Sequence, residues 1–146
     1  MIFATIDNGV YDKYLGKCGL DPIILPPGSP AKSYNKVLRE NEGYICFVHS
    51  DVTCTGLLEA IEETIVDRPN HVIGAVGNGG RWAQKRRLFD ITTCDSCCIV
   101  VNTEWGLFFD EDTFCEFHLY VEDFCMQALK NGIKCSTMYL DGYEGM

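Results

Sequence analysis

An imidazole, a hydroxyl and a carboxylate occupy three successive positions, His49, Ser50 and Asp51, directly after the apolar run YICFV. Together, an imidazole and a carboxylate can coordinate a divalent metal ion or hydrogen-bond a sugar or a phosphate. In open α/β sheets, ligands bind beyond the carboxyl ends of the strands, which is where these residues are expected. Alternatively, Asp51, Thr53 or Thr55 only caps the next helix, and position alone slightly favours this alternative.

Cys94 and Cys97 form a C-x-x-C pair within the segment TCDSCC. Such a pair is typical of a redox centre or of half a zinc site. A zinc site needs a second pair or nearby histidines, and none occurs at ligand spacing in the sequence. A thioredoxin-like motif opens a helix, whereas the apolar CCIVV that follows this pair predicts a strand. The sequence therefore disfavours both roles.

The chain contains nine cysteines, and its N-terminus lacks the basic start and the long apolar region of an export signal. We therefore expect reduced thiols that pack as small apolar side chains. Four lie in apolar stretches and are expected to be buried: Cys46, Cys98, Cys125 and Cys135. Three lie at the ends of elements and are expected to be more accessible: Cys54, Cys94 and Cys97.

Short apolar runs alternate with amphipathic segments along the chain. The runs predict strands: IFATI, DPIILPPG, YICFVHSDV, HVIGAVG, CCIVVN and IKCSTMYL. Three segments between them predict helices: SPAKSYNKVLRENEG with Ser29 as N-cap, GLLEAIEETIVDRP, and HLYVEDFCMQALKNG. DNGVYDKYLGKCG predicts a further helical segment. Continuous apolar strands that alternate with helices indicate an α/β sandwich whose mostly parallel sheet is covered on both faces.

Length and charge narrow the class of protein. A chain of 146 residues suits one domain, and we assign residues 1–146 to it. A net charge of −9 disfavours nucleic acid as a partner, although a small phosphorylated ligand needs only a local cluster of donors. No apolar run approaches the ~20 residues of a membrane span. We therefore expect a cytoplasmic protein.

Four segments, in this order, resemble the glycosyltransferases of the GT-A fold, in the branch related to the glycosyltransferase-like protein of streptomycin biosynthesis. KSYNKVLRENEGYICFVHSDV is similar to their Asn-bearing helix and the strand that ends in H/D-x-D. VIGAVGNGG, DSCCIVVN and FDEDTFCEFHLYVEDFCMQALKNGIK are similar to the branch's later strands and last helical block. The resemblance runs from about Ile2 to about Tyr139. It implies a GT-A-like three-layer sandwich with nucleotide-diphospho-sugar transferase topology.

The resemblance also implies roles for individual residues. Asp51 matches the second carboxylate of the D-x-D motif, which helps to hold Mn²⁺ or Mg²⁺ against the donor's diphosphate. His49 occupies the position of the first carboxylate and is expected to bind the nucleotide or the metal. Asp7, Asn35 and Asp95 are expected to contact the nucleotide or the sugar. Separately, the segment RWAQKRR is unusually basic for an acidic protein, and we expect its Arg81 to bind a phosphate. The plainer alternatives are that DNG is a common turn signal, that Asp95 lies at a turn, and that RWAQKRR is a solvated loop.

The resemblance leaves the catalytic base open. Relatives place a Glu-Asp pair before the last helix, and its Asp deprotonates the acceptor hydroxyl. Counted back from Gly132, those positions are Tyr120 and Val121, whereas the pair Glu122-Asp123 follows two residues later. Either Asp123 or Glu122 is the base after a shift in register, or the chain has lost the base. In the second case the two carboxylates only favour a helix N-terminus.

The resemblance thus implies an inverting, metal-dependent glycosyltransferase that moves a hexosyl group from a nucleoside-diphosphate sugar to a saccharide or another hydroxyl acceptor. One alternative is a catalytically degenerate GT-A-like module that binds a nucleotide or a sugar. Two features favour this alternative. The catalytic base is not identified, and the chain stops soon after the sixth predicted strand. A weaker alternative is a redox protein built on the C-x-x-C pair. A homo-oligomer is compatible with the sequence.

Overall fold

A computed structural model describes residues 1–53, 55–75, 90–137 and 144–145. Strands and helices alternate through these residues, as the apolar runs predict. The elements are β1 (Ile2–Ile6), β2 (Ile23–Leu25), α1 (Pro30–Glu40), β3 (Tyr44–Val48), β4 (Val52–Thr53), α2 (Leu57–Asp67), β5 (Val72–Ala75), β6 (Asp90–Ile91), β7 (Asp95–Asn102), α3 (Tyr120–Lys130), β8 (Cys135–Thr137) and β9 (Glu144–Gly145). The helical segment predicted after β1 forms two short 3₁₀ turns, Tyr11–Lys13 and Leu15–Lys17.

The central sheet has the strand order β2-β1-β3-β7-β5-β8-β6. Strands β1, β2, β3, β5 and β8 run in one direction, whereas β6 and β7 run antiparallel to their neighbours. The prediction of a mostly parallel sheet is therefore confirmed. The antiparallel β7 lies between β3 and β5 and brings its amino end to the edge where β3 has its carboxyl end.

Each face of the sheet carries its own apolar core, because the strands are apolar on both sides. One core joins the sheet to α1, α3 and Phe109 of the β7–α3 connection. The other joins the sheet to α2 and to Leu15 in the 3₁₀ turns. The predicted three-layer α/β sandwich is therefore confirmed.

Local sequence signals set the ends of the helices. The hydroxyl of Ser29 accepts a hydrogen bond from the backbone N–H of Lys32 at 3.4 Å, which makes Ser29 the N-cap of α1 as predicted. Helix α3 follows Leu119, whose φ of 66° is unusual for a leucine and turns the chain sharply into the helix. Each α-helix has 11 residues. No helix within the described ranges is long and apolar enough to cross a bilayer.

Candidate functional site

Three elements meet at the carboxyl end of β3. His49 follows β3 directly, and its backbone N–H donates to the carbonyl of Cys97 in β7 at 2.9 Å. Because β3 and β7 are antiparallel, Asp95 at the start of β7 lies at the same edge. The hydroxyl of Tyr120, the first residue of α3, lies 3.4 Å from Nε2 of His49. The fold thus brings together residues that are up to 71 positions apart in the chain.

His49 is the centre of this cluster, and its charge state is set by burial. Burial lowers the pKa of His49, while the nearby carboxylates of Asp51 and Asp95 act in the opposite direction. The net shift is downward, so the imidazole is neutral at pH 7. A neutral imidazole offers one donor and one acceptor rather than a positive charge.

Asp51 lies in the turn between β3 and β4 and is half-buried. Its carboxylate makes no hydrogen bond to any other residue within the described ranges, so it is available to a ligand or a cation. Helix α2 begins after Gly56, and no side chain caps it. The alternative that Asp51 or a nearby threonine caps this helix is therefore wrong.

Asp7, Asn8 and Ser50 join the end of β1 to the same edge. The carboxylate of Asp7 accepts hydrogen bonds from the backbone N–H groups of Gly9 at 2.8 Å and Tyr11 at 3.3 Å. The backbone N–H of Asn8 donates to the hydroxyl of Ser50 at 3.5 Å. Asp7 therefore shapes the turn that DNG indicates, and its predicted contact with a nucleotide stays a prediction.

Asp95 similarly organises its own backbone, because its carboxylate accepts a hydrogen bond from the N–H of Cys97 at 3.0 Å. This bond leaves Asp95 with further acceptor capacity at the edge that it shares with His49. Its binding role stays a prediction. Arg81 and the rest of RWAQKRR lie outside the described residues, as does Cys54.

Asn35 is buried in α1, with 2% of its surface exposed. Its side-chain NH₂ donates to the carbonyl of Phe109 at 2.8 Å and to the carboxylate of Glu111 at 2.7 Å. Its side-chain oxygen accepts from the N–H of Phe109 at 2.8 Å. Asn35 therefore holds the β7–α3 connection against α1. Most of its hydrogen-bonding capacity is used there, and its predicted role in binding a nucleotide or sugar remains untested.

The candidate base residues lie in the first turn of α3 and differ in their surroundings. Val121, at the position that the resemblance gives to the base, is fully buried in the core. The carboxylate of Asp123 accepts from Gln127 at 2.8 Å, and Gln127 also donates to the carbonyl of Phe108 at 3.1 Å. In contrast, Oε2 of Glu122 is buried without a hydrogen-bond partner among the described residues.

Burial raises the pKa of Tyr120, whose hydroxyl faces His49, and the carboxylate of Glu122 acts in the same direction to a lesser extent. A buried carboxylate oxygen without a partner is costly unless a ligand satisfies it. Of the two carboxylates proposed as the base, Glu122 is therefore the one with a buried oxygen that no described residue satisfies.

Cys94 and Cys97 are not joined by a disulfide bond. Sγ of Cys94 lies 3.6 Å from Sγ of Cys125, and Cys94 is 4% exposed, so the expectation that it is accessible was wrong. The reason is tertiary, because Gly74 on β5 leaves room for Cys94, and a Cβ at Gly74 would collide with it. The expectation of buried, reduced thiols at Cys46, Cys98, Cys125 and Cys135 is confirmed.

The described residues fit one kind of divalent-cation site. No group of three His, Cys, Asp or Glu side chains within these ranges comes close enough to hold a metal ion by itself. Mg²⁺, however, is usually held by one or two carboxylates together with substrate phosphates. The uncommitted carboxylate of Asp51 suits a cation that shares its coordination with a diphosphate.

Sequence patterns did not identify all of this cluster. Tyr34 and Ser96 form hydrogen bonds to Tyr120, and the sequence patterns assign no role to either side chain. Tyr34 was visible only as an aromatic residue beside Asn35 on the apolar face of α1. Its ring stacks on Phe47 in β3, with the two ring centroids 4.2 Å apart.

Comparison with solved structures defines the class of fold. The chain is similar to the crystal structure of S. aureus TarS 1-349, a glycosyltransferase, with a TM-score of 0.66 and 15% identity over 100% of this chain and 60% of that one. Against a second S. aureus TarS structure, the TM-score is 0.64 at 15% identity, over 100% of this chain and 37% of that one. The chain therefore has a glycosyltransferase-like fold of the GT-A type.

The chain spans 60% or less of the length of these two TarS chains. No protein-family model and no curated protein matches it. The likeness therefore shows the fold, and the activity must be argued from the site itself.

Proposed function

We propose that the chain is the donor-binding domain of an inverting glycosyltransferase that uses a nucleoside-diphosphate sugar. The observation that carries the proposal is the convergence of His49, Asp51, Asp95 and the start of α3 at the carboxyl edge of the sheet. This edge is where open α/β sheets bind their ligands. The glycosyltransferase-like fold and the sequence resemblance to the streptomycin-related branch support the same proposal.

In the proposed reaction, the acceptor hydroxyl attacks the anomeric carbon from the face opposite the leaving nucleoside diphosphate. The new carbon–oxygen bond forms as the bond to the diphosphate breaks, and the configuration inverts. Glu122 accepts the proton of the acceptor hydroxyl, because its buried oxygen lacks a partner in the described part of the chain. Asp123 is the second candidate for this role.

Asp51 is the side chain proposed to hold Mn²⁺ or Mg²⁺ when the donor binds. Such an ion neutralises the charge that develops on the leaving diphosphate. Asp7, Asn35, Asp95 and Arg81 remain the proposed contacts to the nucleotide and the sugar. The acceptor would be a saccharide or another molecule with a free hydroxyl, and cytoplasmic location and a homo-oligomer remain proposals.

A second candidate function is a GT-A-like module that binds a nucleotide or a sugar without catalysis. The burial of Val121 at the expected position of the base favours it. The two candidates share the donor site and differ only in whether a carboxylate in α3 takes the acceptor's proton.

Donor binding is tested by thermal shift with UDP-, GDP-, dTDP- and CDP-sugars, each with and without Mn²⁺. A ligand at about 100 times its Kd stabilises the folded state by about 2.7 kcal/mol. Asp51→Asn keeps the shape of the side chain and removes its charge, so we expect it to abolish the Mn²⁺-dependent part of the shift. Equal shifts for wild type and variant, with and without Mn²⁺, would contradict the proposed metal ligand.

The base is tested with the matched pair Glu122→Gln and Asp123→Asn. Loss of a general base lowers the rate by about 10²–10⁴-fold, so Glu122→Gln should lose donor hydrolysis or transfer while it still binds the nucleotide. Asp123→Asn should retain activity to within about tenfold. The reverse order would assign the base to Asp123, and tight donor binding without any turnover in wild type would support the binding module.

A further inference from the structure

We infer that Cys94 and Cys125 form a redox-sensitive pair, which a peroxide converts reversibly into a disulfide bond. The bond would join helix α3 to the residue that directly precedes β7, and these two elements meet at the candidate site. The inference does not depend on the proposed function, because it follows from the positions of the thiols. It also differs from the pair in the C-x-x-C motif, which consists of Cys94 and Cys97.

Cys94 and Cys125 meet in the core on the face of the sheet that α3 covers. Their Sγ atoms lie 3.6 Å apart, although the two residues are 31 positions apart in the chain. A disulfide bond is about 2.05 Å long, so the two sulfurs must approach each other by about 1.5 Å. Cys94 packs directly against Gly74, where even an added Cβ atom would collide with it. The approach therefore falls mainly on Cys125 and α3.

Cys97 is poorly placed to be the partner of Cys94. Cys94 belongs to the core that joins the sheet to α1 and α3. Cys97 instead packs against the core on the opposite face, which joins the sheet to α2. The sheet therefore separates the two side chains of the C-x-x-C motif, and their proximity in the sequence does not make them a pair in the fold.

A second pair of thiols, Cys46 and Cys98, provides an internal control. Their Sγ atoms lie 3.5 Å apart, as close as those of the first pair. The ladder between β3 and β7 pairs Cys46 with Val100 and Cys98 with Val48, so the two cysteines are diagonal neighbours. Diagonal neighbours are about 7–8 Å apart, whereas a disulfide needs Cα atoms within about 7 Å. The ladder thus holds this pair apart, and we expect it to stay reduced.

Hydrogen peroxide is the oxidant in the proposed reaction. The sulfur of Cys94 attacks one peroxide oxygen, the O–O bond breaks, and a sulfenic acid and one water form. Cys94 reacts first because 4% of its surface is exposed, whereas Cys125 has none exposed. The sulfur of Cys125 then attacks the sulfenic sulfur. The S–S bond forms as the S–O bond breaks, and the thiol proton leaves with the hydroxyl as a second water.

The reaction is expected to be slow but reversible. Burial in an apolar core disfavours the reactive thiolate, so the exposed Cys115 should be oxidised before Cys94. Dithiothreitol should restore both thiols of the pair by thiol–disulfide exchange.

Peptide mapping of the intact chain tests the inference. Reduced protein is treated with hydrogen peroxide, the remaining thiols are alkylated in denaturant, and the chain is cleaved before aspartate and after lysine without reduction. These cuts leave Cys94 on residues 90–94 and Cys125 on residues 123–130, and all other cysteines fall on other peptides. We expect these two peptides to be linked after peroxide treatment and separate after dithiothreitol.

Two variants distinguish the proposed partner from its rival. Cys125→Ala should abolish the link to Cys94, whereas Cys97→Ala removes only the C-x-x-C partner and should leave the yield of the link unchanged. A Cys94–Cys97 bridge in the folded protein would overturn the inference. A Cys94 that stays reduced after complete oxidation of Cys115 would also overturn it. The wild-type map decides the question even where Cys125→Ala does not fold.

Two further comparisons show whether the fold selects the partner. In urea, loop closure favours partners that are close in sequence, so Cys94 should pair with Cys97 or Cys98 in place of Cys125. A Cys94–Cys125 bridge that remains the main product in urea would contradict the inference, because it would not depend on the contact at 3.6 Å. A Cys46–Cys98 bridge formed to the same extent in the folded protein would contradict the geometric selection of the pair.

Discussion

Removing the side-chain amide of Asn35 should destabilise the protein, because three hydrogen bonds depend on it. Asn35→Ala leaves the N–H and the carbonyl of Phe109 without their partners, and both Asn35 and Phe109 are 2% exposed. A buried polar group that loses its partner costs about 1–3 kcal/mol. Some relaxation is expected in the β7–α3 connection. We therefore expect the free energy of unfolding to fall by about 2–4 kcal/mol.

Urea unfolding followed by circular dichroism measures this change, with thermal unfolding as a second probe. At about 3 °C per kcal/mol for a domain of this size, the expected fall in Tm is about 6–12 °C. Asn41→Ala is the matched control, since Asn41 ends the same helix and donates one part-exposed hydrogen bond to Val37 at 2.9 Å. That variant should lose less than about 1 kcal/mol.

The same variants separate a structural from a binding role for Asn35. If Asn35→Ala is no less stable than Asn41→Ala, the attachment of the β7–α3 connection by Asn35 is refuted. If nucleotide binding is lost at the same time, the role that the sequence resemblance implies is the better explanation. A large loss of stability with wild-type affinity in the folded fraction would instead assign Asn35 to the fold alone.

Three further outcomes are expected. Gly74→Ala should lower the free energy of unfolding, measured in urea, by about 1–3 kcal/mol, because the new Cβ meets Cys94. Adding Cys94→Gly to this variant should restore part of the lost stability, and an unchanged stability in Gly74→Ala would refute the contact. Native-state alkylation should modify the exposed Cys115 before the buried Cys94, whereas early modification of Cys94 would contradict its burial. Burial raises the pKa of Tyr120, so the unfolded state loses this proton first and stability should fall as pH rises above about 10. Tyr120→Phe should weaken that fall, and an unchanged pH profile would count against the shift.

Local sequence signals were sufficient for most of the elements and for the class of fold. The apolar runs located six of the seven strands of the central sheet, all except β6, and Ser29 with Pro30 marked the start of α1, because these signals act over a few residues. Apolar strands that alternate with helices allow few arrangements other than a sheet covered on both faces. The change from the apolar Val48 to His49 likewise marks the carboxyl end of β3 in the sequence.

The direction of β7 was decided only by the tertiary structure. A strand that is buried on both faces has the same apolar composition whether it runs parallel or antiparallel to its neighbours. The antiparallel course brings Asp95 beside His49, and no local pattern encodes it.

The tertiary structure also decides which residues meet His49 at the carboxyl edge of the sheet. His49 and Tyr120 are 71 residues apart in the chain. They meet because the β7–α3 connection returns the chain to the edge where β3 ends, and α3 begins there. The burial that lowers the pKa of His49 depends on the packing of several elements, as does the burial of Oε2 of Glu122 without a partner in the described part of the chain. The sequence by itself thus determined which residues lie at the end of β3. Their partners and the charge state of His49 follow from long-range packing, which residue types and spacing do not specify.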